Sequence, residues 1–86
     1  MLIYYHQIEE HAKEKMIIED LVMYDTEKKD MTHFHFREST YTESRSIKKF
    51  KFKDIHFEEF VATTDIIEIS ESKYQEIIET FKSKIF

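Results

Sequence analysis

The 86-residue chain has no glycine, proline, asparagine, cysteine or tryptophan. Each absence removes a class of structure or chemistry. Without cysteine there are no disulfides, no thiolate nucleophile and no cysteine-based zinc finger, a usage that fits a reducing cytoplasm. Without glycine the backbone cannot cheaply take φ > 0 or come close to a phosphate. The P-loop, the dinucleotide fingerprint and the nucleophile elbow all need glycines at fixed places, so all three are excluded. No long apolar run suited to a transmembrane helix occurs. The opening "MLIYYHQIEEH" lacks a basic n-region, so no secretory leader is expected there. Catalysis and a bound cofactor are not expected from this inventory.

The residues that are present suit one small globular domain spanning 1–86. Apolar residues make up 41% of the chain and aromatics 15%, enough for a compact core despite 36% charged residues. In "SESKYQEIIETFKSKIF", Tyr74, Ile77, Ile78, Phe81 and Ile85 recur at helical spacing. Ser70 or Ser72 can cap the start, and Ser72-x-x-Gln75 has capping-box form. Glu71 near the start and Lys82 and Lys84 near the end complement the helix dipole.

Upstream, the periodicity turns to strands. "DIIEIS" (65–70) reads as a short strand with Ile67 and Ile69 inward. In "IKKFKFKDIHFEEFVAT" (47–63), Phe50 and Phe52 share one face, with Lys49, Lys51 and Lys53 on the other. The phase slips after Lys53, which predicts one bulged strand or two short ones. "MIIEDLVMYD" and "MTHFHFRE" flank "TEKKD" as a hairpin with a five-residue loop. "RESTYTESRS" reads as an exposed loop. "LIYYHQI" reads as a strand, with "EEHAKEK" as a turn or short helix and a longer helix over 5–16 as the competitor. No internal repeat is visible. The expected fold is α+β: an antiparallel sheet of four to five strands, with one C-terminal amphipathic helix packed on one face.

Three sets of residues are candidate sites. His33 and His35 in "THFHFRE" lie on one face of a strand and can share a metal ion, with His56 as a third nitrogen and Glu38 or Glu58 completing the shell. The simpler reading puts Phe34 and Phe36 in the core and turns the histidines outward by parity. Arg45, Lys48, Lys49, Lys51 and Lys53 surround two phenylalanines, a composition that can bind single-stranded nucleic acid. Alternation sets those rings opposite the lysines, however, and lysines also protect a sheet edge from pairing with other chains. The third set is acidic: Glu9, Glu10, Glu19, Asp20, Glu58 and Glu59, with Tyr41 as an exposed aromatic. Residues 1–30 carry a net −4, residues 31–53 a net +4 and residues 54–86 a net −5. If the acidic flanks converge, they form an anionic surface that steers basic partners.

In style the chain resembles small accessory proteins of phages and mobile elements, being short, rich in Lys, Ile, Glu, Phe and Tyr, and ending in "IIEIS-ESKYQEIIETFKSK". Together with the missing catalytic motifs, the lack of cysteine and the acidic flanks, that resemblance leads to the expectation of a cytoplasmic, non-enzymatic module that binds a larger protein partner. The target would be a host or defence protein that handles nucleic acid, inhibited or modulated through an anionic surface. Nucleic-acid binding through residues 45–53 and metal binding through His33, His35 and His56 are the alternatives. Homodimerisation through an unpaired edge strand is a further expectation, and no membrane partner is expected.

Overall fold

A computed structural model describes residues 1–55, 57–62 and 65–85, apart from the side chains of Phe57, Glu59, Phe60 and Ile85. The elements follow in the order β1 (Leu2–His11), β2 (Met16–Asp25), β3 (Asp30–Ser39), β4 (Ser44–Phe52), α1 (Phe57–Ala62), β5 (Ile67–Ile69) and α2 (Glu71–Ile85). The five strands form one antiparallel sheet in the order β4-β3-β2-β1-β5. This is the α+β arrangement expected from the periodicity, with α2 as its C-terminal helix.

The first three hairpins repeat one unit, a ten-residue strand followed by a four-residue turn. The turns are 12–15, 26–29 and 40–43, and the last residue of each takes a left-handed backbone: Lys15 at φ 50°, Lys29 at 58° and Glu43 at 54°. Asp54, at φ 55°, does the same after β4. The glycine-free chain thus enters the conformation that glycine or asparagine adopts most cheaply, and uses lysine, glutamate and aspartate to do so. The 14-residue period is a backbone repeat with no repeated side-chain motif, which is why the sequence does not display it. In the middle turn the Lys29 amide donates to the Asp25 carbonyl at 2.8 Å. The Asp25 Oδ1 accepts from the amides of Glu27 and Lys28 at 3.0 and 3.2 Å, an Asx-type closure.

Parity along the strands decides which side chains meet. On one face Tyr4, Leu21 and Phe36 meet Tyr74, Ile77 and Phe81 of α2, joined by Met23, Phe34, Ile47, Ile69 and Ile78. Phe36 and Phe81 stack with centroids 5.0 Å apart. Ser70 caps α2, its Oγ accepting from the Lys73 amide at 3.2 Å. On the other face Val22, Tyr24 and Met31 pack with Ile66, Ile55 and Val61, so these last three residues cover one end of that face. Leu21 and Val22 are both fully buried because the two faces are covered at this point.

Several local expectations change. β1 continues through Glu9 and Glu10 to His11, where a turn or helix was expected, because every residue of it pairs with β2. The β2–β3 loop has four residues, since Asp30 pairs with Asp25. The loop after β3 shrinks to 40–43, with both flanks paired as strand. Beyond Phe52 the chain does not resume as strand: it bends at Lys53-Asp54 and forms α1, to which the helical spacing of Phe57, Phe60 and Val61 is suited. In β5 only Ile69 points into the core. Ile67 is 69% exposed, and the neighbouring Ile66 is buried on the opposite face instead.

Candidate functional site

Among the described residues, Asp20, His33 and His35 gather into one cluster on the second sheet face. Asp20 on β2 lies directly opposite His35 on β3, and His33 stands two residues along on the same face. One carboxylate oxygen serves both rings. Asp20 Oδ1 is 2.7 Å from His33 Nε2 and 2.7 Å from His35 Nδ1. With Asp20 ionised, both nitrogens donate, which places hydrogens on Nε2 of His33 and Nδ1 of His35. Burial pushes the Asp20 carboxyl up, but hydrogen bonds from His33 and His35, together with their charge, outweigh it and hold the group below its ordinary value. Beside the pair lies a shallow groove of about 340 Å³, lined by both histidines, Arg37, Ser46, Lys48 and Phe50.

His33 and His35 therefore face away from α2, while Phe34 and Phe36 pack toward it, as parity required. His56 lies outside the described residues. The third group at the histidines is Asp20, which the sequence placed among the acidic partner-binding residues and not among metal ligands. Neither Glu38 nor Glu58 hydrogen-bonds to the two histidines among the described contacts. Glu38 instead accepts from Arg45 Nε at 2.6 Å on the helix side.

The acidic set is divided by the same alternation. Glu9 and Asp20 share the histidine face, whereas Glu10 and Glu19 lie on the helix face. Glu19 is 13% exposed and contacts His6 at 2.9 Å and Lys84 at 3.9 Å. Glu9 is ringed by Gln7 and His11, at 3.1 and 3.3 Å. Glu58 is exposed on α1, and the Glu59 side chain is outside the described part. Tyr41 stands out at the tip of the β3–β4 turn, 78% exposed, with Lys15 Nζ 5.8 Å from its ring centroid.

The basic set also splits. Arg45, Lys49 and Lys51 belong to the helix face, and Lys53 lies in the bend after β4. Lys48 shares the opposite face with Phe50 and Phe52, a pairing of charge with rings that the odd-numbered lysines had hidden. Every one of these residues on β4 lies along a sheet edge, where charge discourages a further strand.

The opposite edge is built differently. β1 pairs with β2 over Leu2–His11, but on its outer side β5 covers only Tyr4, Tyr5 and His6. Among the described residues, no strand pairs with 7–11 on that side. Next to this stretch is a groove of about 490 Å³, lined by His6, Gln7, Ile8, Glu9, Asp65, Ile67 and Ile69. Ile8 is 52% exposed and Ile67 69%. No lysine or arginine lines it, in contrast to the β4 edge.

The chain matches no family model, no curated protein and no solved structure. No helix among the described residues is long and apolar enough to cross a membrane.

Proposed function

We propose that this protein is a non-enzymatic protein-binding module that accepts an extended segment of a partner on the free outer edge of β1. The observation that carries this reading is the short β5. Among the described residues it leaves 7–11 with no strand on the outer side, beside two exposed isoleucines and a groove of mixed lining. An added strand would gain main-chain hydrogen bonds from that edge and seat alternate side chains against Ile8 and Ile67. Its chemistry follows from the rim. Glu9, Glu10 and Asp65 are exposed there, so a partner strand carrying lysine or arginine is the complementary one. Glu9 and Glu10 then serve the acidic recognition expected of them, through an edge and not through a broad anionic surface. The larger partner is a host or defence protein of the kind the accessory-protein style implies, and binding by occupation needs no catalytic group.

The test is affinity capture from the native host with wild-type and edge variants in parallel. Ile8→Lys and Glu9→Lys are expected to lose the captured protein, and Lys49→Glu on the far edge to keep it. Amide exchange at residues 8–10 is expected to slow in the reconstituted complex. Capture that is indifferent to Ile8 and Glu9, or protection confined to another element, overturns the reading. If the protected species is a dimer of the chain itself by sedimentation, the edge serves self-association and the partner reading fails.

A further inference from the structure

The Asp20–His33–His35 group is not used by an edge-binding function, and it has the composition of a metal centre. We propose that it binds one divalent transition-metal ion through His33 Nε2, His35 Nδ1 and an Asp20 carboxylate oxygen. The three ligand atoms lie within 4.8 Å of one another. All three side chains are partly buried, with 16–27% of each exposed, so their positions are set by the sheet and not by a mobile loop. Two imidazoles and one carboxylate form the donor set that suits zinc and iron(II), with ligand distances of about 2.0–2.2 Å. Closing from hydrogen-bond contact onto an ion needs side-chain adjustment only, because all three residues sit on adjacent paired strands.

The exchange of protons is simple. The ion replaces the hydrogens on His33 Nε2 and His35 Nδ1 that Asp20 now accepts. A neutral ring keeps its one hydrogen by moving it to the other nitrogen, and a protonated ring releases one proton to solvent. The remaining coordination positions open onto the groove lined by Arg37, Ser46 and Lys48. Water fits there, and the two cations favour an anionic ligand over a neutral one. Asp20 supplies the opposing charge that the ion itself requires. The other described histidines offer no comparable set: His6 has Glu19 and His11 has Glu9, one carboxylate each.

Titration of the purified full chain with zinc(II) alone, followed by calorimetry, tests this. One ion per chain is expected. His35→Ala and Asp20→Asn should each weaken uptake by at least about 10-fold, and His11→Ala should leave it unchanged. Circular dichroism checks that each variant is folded. A measurement on the wild type removes any dependence on the variants: long-range proton–nitrogen spectra should move Nε2 of His33 and Nδ1 of His35 on zinc addition. Absence of saturable one-to-one uptake overturns the proposal. So does uptake that shifts only other histidine nitrogens.

Discussion

Replacing Lys29 by glycine should stabilise a protein that has dispensed with glycine altogether. Lys29 holds φ at 58° in the last position of the β2–β3 turn, where its amide closes the turn onto the Asp25 carbonyl. A residue with a Cβ pays about 1–2 kcal/mol for that conformation. Glycine escapes this cost but loses about 0.5–1 kcal/mol more backbone entropy on folding. The balance spans about 0–1.5 kcal/mol in favour of Lys29→Gly, with its middle, about 0.75 kcal/mol, worth about 3–6 °C in Tm for a domain of this size. Lys29→Ala removes the same charge and keeps the Cβ, so it should stay within about 0.5 kcal/mol of wild type. Lys28→Gly is the opposite control. Lys28 is not among the residues with positive φ, so glycine there should cost about 0.5–1 kcal/mol. Lys29 is a cleaner position than Lys15. The Lys15 carbonyl accepts from the Thr40 amide and hydroxyl at 2.8 and 3.0 Å, and its ammonium group lies over Tyr41. Urea unfolding followed by far-ultraviolet circular dichroism measures all three variants. If Lys29→Gly is no more stable than Lys29→Ala, the backbone argument is wrong.

Phe81→Ala removes one ring of the stack that joins α2 to the sheet and should cost about 3–5 kcal/mol. A domain of this length has only about 4–13 kcal/mol in total, so the variant should be marginally folded, visible as a sharply lowered urea midpoint. The Tyr74 phenol is pushed up to about 12, by burial first and by Tyr4 second. Its contribution to stability is complete below the unfolded value of about 10 and declines as pH rises from there through about 12. Burial raises Tyr4 and Tyr5 as well, so absorbance titration should show several late phenolates, and Tyr74→Phe should remove one of them and reduce the alkaline loss of stability. Arg45→Ala breaks the contact with Glu38 at a site that is half exposed. It should cost about 1 kcal/mol or less, with the difference shrinking as salt is raised in the same unfolding assay.

The parts of this fold that one segment decides by itself were legible in the sequence. Tyr74, Ile77 and Phe81 specify a helix face without reference to any other element, and Ser70 marks its start. Phe34 and Phe36 likewise fix which way β3 faces, and so turn His33 and His35 to the opposite side. What was not legible depends on pairs of segments. Ile66 is buried in place of Ile67 because it packs with Ile55 and Val61 on the far face, and "IIEIS" by itself cannot report that. Lys48 joins Phe50 and Phe52 on a face that counting from Lys49 does not suggest. The short reach of β5 along β1 is a fact about two strands whose paired residues lie 61–65 positions apart in the chain.

The histidine site shows how narrow that dependence is. With a turn of 26–29, residue numbers across β2 and β3 add to 55, and Asp20 stands opposite His35. The five-residue loop that "TEKKD" suggests would raise the sum by one. Phe36 would then lie opposite Asp20, and the carboxylate would turn toward the helix face, away from both rings. A strained residue at position 29 therefore does more than close a hairpin. By holding the turn to four residues it places the carboxylate under two histidines, and a glycine there should preserve the site while an inserted residue should abolish zinc uptake in an otherwise folded sheet.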